Sequence, residues 1–249
     1  MDGHVLLATS GLDSSLALFY LRHERKIDPK ILYVDLKGRY SDTEIRYLLG
    51  FTKAFDTDFT ISRELDLSKW EEESANIQMR NALLIETAAY YGSDIYLVVQ
   101  KDEMTIPDRS EDFFQRTTDY LNFLWADKIK SKERKSFFVD PVFSSITKTE
   151  ALGWFIKTFG EEKALLLLMH TFSCFNPKYD IQCKACPACM RYWAAWRTYG
   201  FLTNWDKEIM QSDVFKTYTE RANKGDLGPS RSKEWIKLIT DIELVGGTS

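Results

Sequence analysis

Four cysteines stand close together in the 249-residue chain and none lies elsewhere: Cys174, Cys183, Cys186 and Cys189, in the spacing Cys-x8-Cys-x2-Cys-x2-Cys. Two successive x2 gaps let neighbouring thiolates converge on one ion, and the longer loop brings the fourth round to complete a tetrahedron. A disulfide scaffold would spread its cysteines along the chain, so the clustering points to a metal. Zinc is the default, and four thiolates would leave it no open coordination position, hence a structural role. An iron–sulfur cluster is the rival that the spacing leaves open. His170, four residues before Cys174, reads as a packed or capping residue and not as a ligand.

A second group is the string Ala8, Thr9, Ser10, Gly11, Leu12, Asp13, Ser14 and Ser15, which follows the first apolar run of the chain. A loop between a strand and a helix is where open α/β sheets bind ligands, because the helix N-terminus offers free amides and a dipole that favours an anion. Gly11 lets backbone approach a phosphate, and the hydroxyls of Ser10, Ser14 and Ser15 add donors. No Gly-Lys-Ser/Thr follows and only one glycine is present, so the string is neither a Walker loop nor a Gly-x-Gly-x-x-Gly turn.

The elements that must position these groups alternate. Strands are expected at His4 to Ala8, Ile31 to Leu36, Phe59 to Ile61, Ile95 to Val99 and Phe137 to Val139. Helices are expected at about Ser14 to Arg25, Thr43 to Ala54 with Asp42 as N-cap, Asn81 to Tyr91 ending at Gly92, and Glu111 to about Lys130. That alternation implies a parallel sheet covered on both faces. After Pro141 the pattern turns helical: Lys148 to Phe159, Glu161 to Met169, Pro187 to Tyr199, and one further helix near Ser232 to Thr240. The expected organisation is an α/β domain over residues 1–145 and a helical, cysteine-bearing region over 146–249.

Composition narrows the function classes. The chain is 44% hydrophobic, enough for a substantial core, and its formal net charge of −4 gives no global field to hold a polyanion. A basic run at Lys128, Lys130, Lys132, Arg134 and Lys135 is interrupted by Glu133 and reads as a solvated helix end. No apolar stretch approaches bilayer length, and Met1-Asp2-Gly3-His4 carries no export pattern, so a soluble cytoplasmic protein is expected, without membrane or direct nucleic-acid partner.

Loop and cysteines together resemble the PP-loop ATP pyrophosphatases, whose loop usually reads Ser-Gly-Gly-x-Asp-Ser; here Thr9 and Ser10 replace the first serine and glycine. Within that superfamily the cysteine spacing, opened by Ser173-Cys174-Phe175, resembles QueC, the 7-cyano-7-deazaguanine synthases. Further similar segments follow in the family's order. Gln78-Met79-Arg80-Asn81 resembles Pro-x-Arg-Asn, Ile106-Pro107-Asp108-Arg109 through Phe113 resembles Tyr-Pro-Asp-x-Arg-x-x-Phe, Asp140-Pro141-Val142 through Lys148 resembles Pro-(Leu/Phe)…Lys, and Lys37-Gly38-Arg39-Tyr40 is similar to Gly-Gln-Arg-His.

The resemblance implies a Rossmann-like sheet of the adenine nucleotide alpha-hydrolase type and a four-cysteine zinc site. It implies ATP, carried with Mg2+, as co-substrate on residues 8 to 15, and conversion of 7-carboxy-7-deazaguanine and ammonia to the nitrile by two adenylations. Asp13, Ser14, Arg80, Asp108 and Arg109 are then the catalytic candidates. Arg39 is a further arginine to test, since a guanidinium suits both phosphate and carboxylate. Asp108 either meets the guanine-like edge of the base or caps the helix at Glu111. A homodimer accords with the same resemblance. The departures at Ser10, Gln78 and Arg109 mark a divergent member, which leaves open an enzyme that stops at the amide or transfers a deazapurine to a macromolecule. Two other readings are a tRNA-thiolating PP-loop enzyme, which needs a reactive cysteine outside a metal site or an iron–sulfur cluster, and a non-catalytic zinc module, which only the substituted Ser10 favours.

Overall fold

The structure is a computed structural model that describes residues 3–72, 77–125 and 136–246. Five strands form one parallel sheet: β1 (His4–Leu7), β2 (Lys30–Val34), β3 (Phe59–Ser62), β4 (Asp94–Val98) and β5 (Phe138–Val142), in the order β3-β2-β1-β4-β5. The fold is α/β and Rossmann-like, as expected. Pro141, which has no N–H to give a ladder, sits in the edge strand β5, where such a residue is tolerated.

The strands are buried on both sides because their residues alternate between two cores. Leu6, Ile31, Tyr33 and Tyr96 face the layer made by α1 (Leu12–His23) and α2 (Ser41–Ala54). Val5, Leu7, Leu32, Val34, Ile95 and Leu97 face the layer that includes α3 (Arg80–Ala88) and α4 (Glu111–Leu124). The next helices, α5 (Lys148–Phe159), α6 (Glu161–His170) and α7 (Pro187–Thr198), join the first core through Leu152, Phe155, Leu167, Tyr192 and Trp196, so that core is continuous from β1 to α7. A full capping box of Thr147 and Glu150 fixes the start of α5.

Several boundaries differ from the sequence reading. Helix α2 starts at Ser41, so Asp42 lies in its first turn and Tyr40 holds the cap position without a side-chain bond. Ser110 caps α4 by accepting from the Phe113 N–H at 3.1 Å, which removes Asp108 from that role. Residues after 200 were expected to give one helix and give three: α8 (Asp206–Met210), α9 (Asp213–Asn223) and α10 (Pro229–Gly246). The buried Tyr218 and Ala222 of α9 are spaced four apart and pack with Trp235 and Leu238 of α10 on Met190 and Trp193 of α7. That stripe is obscured in the sequence by the charges between its members. The run from Lys128 to Lys135 and the end of the expected helix to Lys130 lie outside the described residues. Among the described residues no helix is long and apolar enough to cross a membrane.

The sheet order puts its switch point between β1 and β4, where the chain leaves for opposite sides. A crevice at the carboxyl ends of these two strands is the position for a ligand.

One packing contact tests this arrangement. At Gly92, where the chain turns into β4, an added Cβ would lie 2.4 Å from the Gly3 carbonyl oxygen, which already accepts from Ser93 N at 3.0 Å and Asp94 N at 3.2 Å. Gly92→Ala is expected to cost about 2 kcal/mol in urea unfolding, the range of an overpacked core. A cost near zero would mean that β1 and β4 are not held in this register.

Candidate active site

A cavity of about 1720 Å³, its open mouth included, lies over the carboxyl ends of β1, β2 and β4. Its walls come from the loop after β1, the ends of β2 and β4, the starts of α2, α3 and α5, and the cysteine segment.

The loop after β1 turns sharply because Thr9 Oγ1 accepts from Gly11 N at 3.1 Å. Helix α1 then begins with no side-chain cap, so its first amides have no partner within the helix and open on the cavity. Ala8, Thr9, Gly11, Asp13 and Ser14 line that cavity. Ser10, Leu12 and Ser15 do not. Leu12 is a core residue, Ser10 is wholly buried with an unpartnered hydroxyl, and Ser15 Oγ donates to Gly11 O at 3.0 Å. The hydroxyl of Ser14 is likewise engaged, with Thr9 O at 2.8 Å and Gly11 O at 3.1 Å. In this geometry the backbone amides, rather than the serine hydroxyls, are the donors on offer. Ser10 is absent from the residues of positive φ, so the position does not require glycine's freedom.

Asp13 is clamped from two sides: Gln100 Nε2 donates to Oδ1 at 2.7 Å and Lys148 Nζ lies 2.9 Å from Oδ2. Neither partner was assigned a role from sequence. Gln100 follows the end of β4, a position that topology alone would have pointed to, and Lys148 closes the Pro-to-Lys segment.

The arginines divide. Arg80 is the first residue of α3, set by Met79 in the left-handed region at φ 60; it lines the cavity and has no ion pair among the described residues. Arg109 also lines the cavity and pairs with Glu103 at 2.8 Å. Arg39 is turned to Glu71, with Nε 2.9 Å from its carboxylate. Asp108 does not reach the lining; its carbonyl accepts from Asn81 Nδ2 at 3.0 Å and so links α3 to the turn at Arg109. Arg191 on α7, two residues past Cys189, supplies a cation that the sequence reading missed.

Two carboxylates in the wall are shifted in opposite directions. Burial pushes Glu44 up to about 7, against the hydrogen bond from Tyr33 at 2.9 Å and the charge of Arg80. Burial also raises Glu103, but the surrounding charges of Arg109, Arg191, Arg231 and Lys148 outweigh it and hold the carboxyl below its ordinary range. Burial lifts Tyr40 to about 12, so its hydroxyl keeps its proton at neutral pH.

The ligand atoms of Cys174, Cys183, Cys186 and Cys189 all lie within 4.8 Å of one another. Cys183 and Cys189 are 3.9 Å apart, close to the edge of about 3.8 Å for a thiolate tetrahedron with metal–sulfur distances of about 2.3 Å. Asn176 N and Cys183 N both donate to Cys174 Sγ at 3.3 Å, and Phe175 N donates to Cys186 Sγ at 3.4 Å. The crowded thiols shift one another in opposite directions: their neighbours draw Cys186 far below the usual thiol range and push Cys174 and Cys189 up. The cluster is tied to the loop after β1, since Phe172 N donates to Ser10 O at 2.8 Å, and to α2 through Asp180, which accepts from Thr43 at 2.6 Å and pairs with Arg46.

Compared with known families, the one described as "Queuosine biosynthesis protein QueC" matches residues 33–200, more than half of the chain. The chain belongs to the QueC family. No curated protein sequence matches it. The QueC match takes in Arg80, Arg109, Lys148, Arg191 and the four cysteines, and leaves the loop of residues 8 to 15 and the helices after 200 outside. Family membership thus accounts for one side of the cavity, and the fold supplies the other by placing the uncapped start of α1 opposite it. His170 packs beside Gly50 of α2 and takes no part in the cluster.

Metal analysis is expected to give one ion per chain, falling to near none in Cys183→Ala. Because binding by a four-ligand structural site is folding free energy, on the order of 10 kcal/mol in the best-studied cases, a chelator should lower the thermal midpoint markedly. A metal-free chain that melts unchanged with chelator would contradict the assignment.

Proposed function

We propose that this QueC-family chain converts 7-carboxy-7-deazaguanine and ammonia to 7-cyano-7-deazaguanine at the expense of two ATP. The observation that carries the reading is the uncapped N-terminus of α1 facing, in one cavity, Lys148, Arg191 and the two arginines of the QueC-matched segments, Arg80 and Arg109. Such a site favours a polyphosphate beside a carboxylate.

A carboxylate resists attack by ammonia until one of its oxygens becomes a leaving group. In the proposed first step a carboxylate oxygen bonds to the α-phosphorus of ATP as the bond to pyrophosphate breaks. The α1 amides and Lys148 neutralise the charge that develops on the departing pyrophosphate, the kind of preorganised stabilisation worth most in a water-poor cleft. Ammonia then adds to the acyl carbon and loses a proton, and AMP departs with one former carboxylate oxygen. The amide oxygen attacks a second ATP in the same way; loss of two N–H protons and of AMP leaves the nitrile. Asp13, held by Gln100 and Lys148, keeps the lysine and the loop aligned. Arg80 and Arg109 serve to grip the substrate carboxylate or the phosphates. Asp108 acts by setting Arg109 through its link to Asn81. Mg2+ accompanies ATP as its counterion.

The four cysteines would hold zinc, which with no open position supplies no chemistry of its own and pins Phe172 against Ser10 beneath the loop. With every thiol of the chain committed to zinc, thiolation would lack what it needs, a reactive cysteine outside a metal site or an iron–sulfur cluster. Ser10, whose replacement of a glycine is what a non-catalytic zinc module would rest on, is buried and does not line the cavity, which supports a catalytic reading instead.

The purified protein, given ATP, ammonium and 7-carboxy-7-deazaguanine, is expected to release AMP and pyrophosphate and to yield the nitrile by mass. Amide without nitrile would place the protein as a single-step enzyme, and no AMP would refute the proposal. Asp13→Asn should lower AMP release about 100-fold with the fold intact by circular dichroism.

A further inference from the structure

The helices after residue 200 lie outside the QueC match, yet the first turn of α10 meets the catalytic side of the sheet. Asp102, just beyond β4, accepts from Arg231 N at 2.6 Å and so caps α10 from another element. Gly228, at φ +91, allows this approach: a Cβ there would stand 2.8 Å from the Asp102 side chain. Thr147 Oγ1 donates to Glu234 at 2.5 Å and ties α10 also to the start of α5, next to Lys148.

These ties place one guanidinium between two residues of the site. Arg231 Nη2 lies 3.4 Å from Gln100 Oε1 and 3.4 Å from Glu103 Oε1. An amide has one accepting end and one donating end. With Arg231 at the oxygen of Gln100, the NH2 end is the one left to donate to Asp13. Glu103 uses its other oxygen, Oε2, for Arg109 at 2.8 Å. One cation thus orients the partners of two separate groups in the cavity. We propose that Arg231 is a positioning residue: from outside the family-matched region it fixes Gln100 and Glu103, and through them Asp13 and Arg109. The inference rests on the synthetase reading for its kinetic form but not for its geometry.

The planar fork of arginine can serve both acceptors, a lysine only in part, and a glutamine supplies no charge. The test compares Arg231→Gln and Arg231→Lys with the wild-type chain by AMP release at varied ATP, varied 7-carboxy-7-deazaguanine and varied pH. Arg231→Gln is expected to lower kcat about 10-fold or more, as misplacement of remote groups does, with its thermal midpoint close to wild type, and Arg231→Lys to recover a good part of the loss. Glu103 faces Arg109, Arg191 and Lys148 besides Arg231. Losing one of these cations raises its pKa, so the acid limb of kcat/KM should move to higher pH in Arg231→Gln and stay in place in Arg231→Lys. Wild-type kinetics in Arg231→Gln, or equal loss in both variants with an unmoved pH profile, would overturn the proposal and leave Arg231 an anchor of α10 only. Should the wild-type chain form no AMP, the synthetase reading falls, and calorimetric binding of α,β-methylene ATP decides the inference instead. Weaker binding in Arg231→Gln with near-normal binding in Arg231→Lys sustains it, and equal affinity in all three overturns it.

Discussion

The start of α1 carries amides that no side chain of its own helix caps, and Gly11, Asp13 and Ser14 at that end line the crevice that the strand order creates between β1 and β4. Leaving such groups unpaired is costly unless water or a ligand meets them. Their direction must also be fixed, because anion binding by a helix end weakens within a turn's distance. The helix itself is anchored by Leu16, Leu18, Phe19 and Leu21, each buried and each contributing roughly 1.5–3 kcal/mol. Lys148 and Gln100 hold Asp13 from above, and Phe172 holds the Ser10 carbonyl from the side of the cysteines. The cluster of thiols, although distant in sequence, is thereby part of the same constraint.

The parts of this arrangement that were legible in the sequence are those whose chemistry is local. Four cysteines at x8, x2 and x2 intervals state their convergence whatever surrounds them. The apolar run before Thr9 and the strand–helix alternation state where the loop must lie. What could not be read is pairing across the chain: Gln100 is 87 positions from Asp13, and only the parallel pairing of β1 with β4 brings them together. The same holds for Glu103, a plain charged residue in sequence, which pairs with Arg109 and Arg231 and lies in the field of Arg191 and Lys148. Ser10 illustrates the opposite error. Its replacement of a glycine looks like lost backbone freedom, but the residue adopts an ordinary φ and turns its side chain inward. Asp108 looked like a base-reading or capping carboxylate, and instead its backbone carbonyl joins α3 to the turn that carries Arg109.

The helices after residue 200 were the least legible, because their apolar positions are aromatic and separated by charge. Trp235 packs on Trp193 with ring centroids 5.9 Å apart and on Tyr218 at 4.9 Å, so α9 and α10 form one body with α7, the helix that also carries Arg191. A shared helix explains how a segment beyond the QueC match meets the cavity: whatever fixes α7 fixes both Arg191 and the seat of α10.

In the proposed reaction the carboxylate oxygen attacks the α-phosphorus of ATP in this cavity. The most direct measurement uses 7-carboxy-7-deazaguanine with both carboxylate oxygens labelled by 18O, and follows the label by mass spectrometry of the products. One 18O is expected in each AMP formed and none in pyrophosphate. Label found in phosphate or pyrophosphate, or AMP formed without label while the base is converted, would contradict it.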